Sequence, residues 1–235
     1  MTIDMFPRQP RNHEREGLLD DILVIIDVDR TLLETNLYSE AIFTILARQG
    51  MSADAARLDE LVEHGTGNNF DLMEQVEKLG IFPGADEIID AVNGRSFLYP
   101  GVDRLLGELE ASGIAAMILT YGGLNGQRVK LEIIRRELEE KGLSLPPSVI
   151  TQEQYKAEWV DTKWEKTKDG QFLVPKGIDG LSGRSFRRII ILDDKTSNLE
   201  TSNGDIEGIK VDNSKKRKGV PIGEAIDKIP TKLAH

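Results

Sequence analysis

Two apolar runs that each end in carboxylates constrain this chain more than any other feature. The first is Ile22-Leu23-Val24-Ile25-Ile26, followed by Asp27-Val28-Asp29-Arg30-Thr31. The second is Ile189-Ile190-Ile191-Leu192, followed by Asp193-Asp194-Lys195. Short runs rich in β-branched residues and without a polar alternate read as strands buried on both faces. Strand side chains alternate in direction, so Asp27 and Asp29 are expected to leave the first run on the same side. Carboxylates gathered this closely repel unless a cation or a shared proton relieves them. Four acids at the ends of two buried strands therefore predict a hard divalent cation, Mg²⁺ before others.

Three further short apolar runs, at residues 114–119, 148–150 and 208–211, also read as strands. Helix-period segments separate them, such as 101–112, with Val102, Leu105, Leu106 and Leu109 on one face, and 127–141. Alternating strand and helix predicts an α/β fold, a doubly wound, Rossmann-like parallel sheet. In such a sheet ligands bind beyond the carboxyl ends of the strands, where both acid pairs stand.

The first two strands are too far apart for a single crossover helix. Helical patterns at 37–49, 53–64, 70–79 and 86–92 fill the gap, with a break at Gly65-Thr66-Gly67-Asn68-Asn69. The expected organisation is a leader at 1–18, a core of 19–35 and 99–235, and a small helical cap at 36–98 above the strand ends. Asn68, Asn69 and Phe70 would form a turn between cap helices or, as the second reading, line a substrate-facing loop. Residues 155–183 hold both tryptophans and a turn signal, Asp169-Gly170, and read as a surface excursion.

The chain has no cysteine, which removes disulfides, thiolate zinc sites and a Cys nucleophile and fits a cytoplasmic protein. Its three histidines, His13, His64 and His235, are too scattered for a His-based metal site. A net charge of -10 argues against nucleic-acid or anionic-membrane partners. The basic run Lys215-Lys216-Arg217-Lys218 reads first as a solvated loop and second as a phosphate-contacting or targeting segment. No stretch approaches the roughly 20 apolar residues of a membrane-spanning helix, and the polar N-terminus is not a signal peptide.

Asp27-Val28-Asp29-Arg30-Thr31 resembles the first motif of the haloacid dehalogenase-like (HAD) hydrolases, D-x-D-x-T after an apolar strand. Ile118-Leu119-Thr120-Tyr121-Gly122 resembles the second and Ile191-Leu192-Asp193-Asp194 the fourth, in the family's order. The resemblance covers roughly residues 19–212, and the insertion resembles the small helical C1 cap. It implies that Asp27 is a nucleophile forming an aspartyl-phosphate. It implies that Asp29 protonates the leaving oxygen and then deprotonates water. Mg²⁺ would bind Asp27, the Asp29 carbonyl and Asp193 or Asp194. Thr120 and backbone amides around Tyr121 and Gly122 would hold the phosphoryl group. Thr31 would support the loop. Arg30 stands where many members have Gly, and would either reach substrate from the edge or pair with a cap acid.

The family's third motif is a charge-neutralising lysine before the last acid pair, often followed by Pro. No Lys-Pro occurs, and Lys156, Lys163, Lys166, Lys168 and Lys176 compete. Lys156 is preferred because it follows the third strand by a short connection. The resemblance favours a phosphatase acting on a small phosphorylated metabolite, since dehalogenases of the family lack the second Asp. Phosphonate hydrolysis would need a cap lysine, and the cap has only Lys78. A phosphomutase of the β-phosphoglucomutase type shares every motif. The remaining alternative is a non-catalytic binding or regulatory protein.

Overall fold

The computed structural model describes residues 21–64, 71–153, 155–214 and 218–229. The leader, the break before Asp71 with Asn68, Asn69 and Phe70, and residues 215–217 of the basic run lie outside the described residues. Eight strands follow in chain order: β1 (Ile22–Ile26), β2 (Ala115–Tyr121), β3 (Ser148–Thr151), β4 (Glu165–Lys166), β5 (Phe172–Leu173), β6 (Ser185–Phe186), β7 (Arg188–Asp193) and β8 (Ile206–Lys210). The helices are α1 (Thr35–Arg48), α2 (Ser52–His64), α3 (Leu72–Lys78), α4 (Ala85–Ala91), α5 (Val102–Ala111), α6 (Leu124–Glu140), α7 (Lys156–Lys163) and α8 (Ile222–Ala225).

Five strands form the central sheet in the order β3-β2-β1-β7-β8, and every neighbouring pair is parallel. Each of the five apolar runs becomes one of these strands. The chain builds outward from β1 through β2 to β3, then returns to the other side of β1 with β7. That reversal opens a crevice at the carboxyl end of β1, where such sheets hold ligands. The Asp27 amide donates to the Leu192 carbonyl at 2.9 Å, so the first acid continues the ladder beside the second pair.

The pleat divides the core. Ile22, Val24 and Ile26 pack on one face with Ile118, Ile190 and Leu192. Leu23 and Ile25 pack on the other with Met117, Leu119, Ile189 and Ile191. Both faces are buried, which is why β1 carries no polar alternate. Helices α1 to α4 share the first cluster with α5, α6 and α8, so one continuous apolar core runs from the sheet into the insertion.

Residues 155–183 are not a surface excursion. After α7 they join β6 in a small antiparallel sheet, β4-β5-β6. Trp164, Phe172, Val174, Ile178, Leu181 and Phe186 are buried against the second face of the main sheet. The apolar residues are sparse in this stretch and spread over short turns, so no single period marks them. Trp159 meets Trp164 edge to face, with ring centroids 5.9 Å apart.

Glu137 of α6 pins the chain where it returns from the insertion, accepting from the Phe97 amide at 2.7 Å and from Ser96. Further on, Gly101 has φ +91 and crosses the start of α8. A Cβ there would lie 2.5 Å from the Gly223 Cα. Gly101→Ala should therefore cost about 2 kcal/mol or more, from left-handed backbone strain plus a backbone clash. Urea denaturation of the purified variant checks this.

Candidate active site

Asp27 follows β1, Asp193 ends β7, and Lys156 opens α7; all three side chains are buried. The Lys156 ammonium bridges Asp27 Oδ1 and Asp193 Oδ2. Asp193 is otherwise saturated: Oδ1 accepts from the Lys195 amide at 2.8 Å, and Asn198 Nδ2 reaches both oxygens at 3.0 Å. Asp194 has no hydrogen-bond or ion-pair partner for its carboxylate among the described residues. Carboxylate oxygens of Asp27, Asp193 and Asp194 lie within 4.8 Å of one another.

Three carboxylates and one ammonium leave two negative charges in a buried place. Burial, with repulsion from Asp193 and Asp29, outweighs Lys156 and pushes Asp27 up to about 8. Burial and Asp193 outweigh Arg30, Lys195 and Lys156 and raise Asp194 to about 6. Burial disfavours the charge on Lys156, but Asp27 and Asp193 outweigh it and raise the ammonium above its ordinary value. A hard dication would restore charge balance, and an all-oxygen donor set suits Mg²⁺. The residues present fit such an ion.

Asp29 belongs to a second cluster. Strand β1 ends at Ile26, so alternation no longer governs, and Asp29 turns to α6 and α1. Lys130 Nζ donates to both its oxygens, at 2.7 and 2.9 Å. Gln127 Nε2 donates at 3.1 Å and Thr35 Oγ1 at 3.0 Å. Burial would raise Asp29, but Lys130, Gln127 and Thr35 outweigh it and hold the carboxyl below its usual range. Thr120 is fully buried and donates its proton to Gln127 Oε1 at 2.9 Å. Gln127 thus links the end of β2 to the loop after β1.

The glycines after Tyr121 make room for this chain's own side chains. A Cβ on Gly122 would meet Gln127 Nε2 at 2.8 Å. One on Gly123 would lie 2.2 Å from Asp71 Oδ2, which accepts from the Gly123 amide at 2.8 Å. Arg30 has φ +60, a left-handed conformation that explains why glycine suits the position. Thr31 is buried, and its hydroxyl finds no partner among the described residues.

Beside these clusters lies a cavity of about 420 Å³, between the carboxyl edge of the sheet and the insertion. Asp29, Arg30, Tyr121 and Asp194 line it, joined by Tyr38, Leu61 and Asp71 from the insertion and Lys130 from α6. Asp27 does not line it and sits behind.

No family model matches the chain, and no curated protein matches it. Solved structures do. One, from Burkholderia xenovorans and described as a haloacid dehalogenase-like hydrolase, superposes over 91% of this chain and 98% of its own. Its TM-score is 0.55 at 18% identity. The chain has the haloacid dehalogenase-like fold. A family hydrolase from Xanthomonas campestris covers 90% of this chain and 96% of its own, with TM-score 0.45 at 16% identity. A structure from Thermotoga maritima described as a β-phosphoglucomutase covers 89% and 98%, with TM-score 0.47 at 16% identity.

Within this HAD-like fold, only Lys156 of the five candidate lysines bridges the acid pairs. Lys163, Lys168 and Lys176 are exposed, and Lys166 stacks on Phe172 at 4.6 Å. Sequence reasoning missed Thr35, Asp71, Gln127, Lys130 and Asn198. Gln127 and Lys130 carried a signal: they stand three apart on one helix, where side chains share a face.

Asp29 takes up its proton at lower pH in the folded chain than in the unfolded one. Its contacts therefore stabilise the fold above the ordinary carboxylate range and are lost as pH falls through the depressed value. Lys130→Met should cost about 1 kcal/mol at neutral pH and flatten the loss of stability in acid. Urea midpoints measured across pH check both effects.

Proposed function

We propose that this chain is a Mg²⁺-dependent phosphohydrolase that removes phosphate from a small metabolite through an aspartyl-phosphate on Asp27. The observation that carries the reading is the buried Lys156 bridge between Asp27 and Asp193, with the unpaired Asp194 carboxylate beside it. A carboxylate attacks phosphorus in line only when it is held ionised and aimed. Lys156 offsets the charge of Asp27 and of the incoming phosphoryl oxygens. Mg²⁺, held by Asp27, the Asp29 carbonyl and Asp193 or Asp194, would add Lewis-acid neutralisation of those oxygens.

Asp29 serves both halves of the reaction. Protonated, it gives its proton to the leaving oxygen; ionised, it takes one from the water that opens the aspartyl-phosphate. Lys130, Gln127 and Thr35 hold it ionised, which prepares the second half. The first half needs Asp29 to turn from Lys130 towards the leaving group. Thr120 must likewise release Gln127 before donating to a phosphoryl oxygen, while amides near Tyr121 and Gly122 supply further donors. Residues 36–98 act as the cap over the cavity. No helix among the described residues is long and apolar enough to cross a membrane. With no cysteine in the chain, a cytoplasmic setting is the reading that fits.

Hydrolysis of an aryl phosphate should require Mg²⁺ and fall by at least about 10³-fold in Asp27→Asn. Folding of the variant is verified by circular dichroism. Turnover that survives in Asp27→Asn would reject Asp27 as nucleophile. Lys156→Ala should also abolish release, whereas Lys163→Ala, altered at the exposed end of α7, should retain it. Steady-state rates on the same substrate separate the two lysines.

A further inference from the structure

Each acid pair is followed at once by a cation: Asp29 by Arg30, and Asp194 by Lys195. Both cations are exposed and both line the cavity beside the catalytic carboxylates. Their surroundings differ from those of Lys130 and Asp71, which also line it. Lys130 is matched by Asp29, and Asp71 accepts from the Gly123 and Glu74 amides. Neither the Arg30 guanidinium nor the Lys195 ammonium forms a direct ion pair among the described residues; the one carboxylate both act on is Asp194, so the two cations outnumber it at this wall of the cavity.

Arg30 is also held at a cost. A non-glycine residue at φ +60 is disfavoured, by about 1 kcal/mol or more, and persists only where its surroundings over-determine it. Here they do. The Arg30 amide donates to the Leu33 carbonyl and to Thr35 Oγ1, each at 3.0 Å. Its carbonyl accepts from Asn213 Nδ2 at 3.1 Å. Asn213 is itself fixed, since its Oδ1 accepts from the Ile222 amide at 2.9 Å. The loop therefore directs a costly arginine to the cavity wall, where glycine would fit without strain.

The reacting phosphoryl group has its own anchors in Asp27, Lys156 and the end of β2. Asp27 lies behind the cavity, whereas Arg30 and Lys195 line the space that also meets Tyr38, Leu61 and Leu72. The two cations thus face the part of the substrate that departs. We infer that the substrate carries a second anionic group, a carboxylate or a further phosphate, which Arg30 and Lys195 bind within this cavity. The inference rests on the phosphohydrolase reading and names its substrate class. Arg30 offers a planar fork suited to either anion, and Lys195 adds a point charge.

Calorimetric titration of the Mg²⁺-loaded Asp27→Asn protein tests this without turnover. The probes are glycerol 3-phosphate, 3-phosphoglycerate and 2,3-bisphosphoglycerate. The second or third should bind about tenfold tighter than the first, a step typical of one charge-assisted contact. Because 2,3-bisphosphoglycerate keeps the carboxylate, a gain already present with 3-phosphoglycerate identifies the second anion as carboxylate, and a gain confined to 2,3-bisphosphoglycerate identifies it as phosphate. Adding Arg30→Gly and Lys195→Gln should bring the ratio to one. Glycine adopts φ +60 freely, so that replacement favours folding. Equal binding of all three probes would overturn the inference, as would an advantage that survives both replacements. A uniform loss for all three would place the cations on the reacting phosphate instead, which also overturns it. Aryl phosphatase activity of the wild type, run in parallel, reports separately on the phosphohydrolase reading.

Discussion

A lysine buried between two carboxylates is the interaction on which this structure turns. Desolvating three charges is expensive, and their mutual attraction repays that cost only when the geometry is close. The fold meets the condition by bringing three distant pieces of chain to one point. Asp27 comes from the end of β1, Asp193 from the end of β7, and Lys156 from the first turn of α7. Asn198 and the Lys195 amide then saturate Asp193, so the arrangement stays rigid. The excess negative charge left behind makes the place receptive to a cation.

The second face of the sheet is shaped by the same demand. Lys156 reaches the acids because α7 lies close over Leu23, Ile25, Met117 and Leu119, with Ala157 and Val160 in that core. The small sheet β4-β5-β6 completes the cover of that face with Phe172 and Phe186. On the opposite face the insertion shares the sheet's apolar core, and polar contacts tie its helices to α6. Asp71 accepts from the Gly123 amide, and Glu77 accepts from Asn125 at 3.0 Å. Helix α6 is therefore both a wall of the cavity and the carrier of Gln127 and Lys130, which orient Asp29.

Much of this was legible in the chain itself. The apolar runs are continuous because both sheet faces are covered, and the acids follow because strand ends lie outside the core. Helical periods in the insertion marked α1 to α4 to within a few residues at each end. Residues 155–183 were not legible, because a few buried aromatics spread over short turns carry no period. Lys130 shares a helix face with Gln127, but that spacing alone did not direct it to the site. Its neighbours in sequence, Val129 and Leu131, mark it only as a polar position on an amphipathic helix.

The sequence by itself determined the five strands of the main sheet, the helices of the insertion, the parallel pairing and the two acid pairs at strand ends. Local hydrophobic pattern and the reach of short connections suffice for those. Only the tertiary structure decided which of five lysines meets the acids, that Asp29 parts from Asp27, and that Thr120 gives its proton to Gln127. These are contacts between residues far apart in the chain. They are settled by packing distances and by the cost of burying charge unpaired, which no local pattern records.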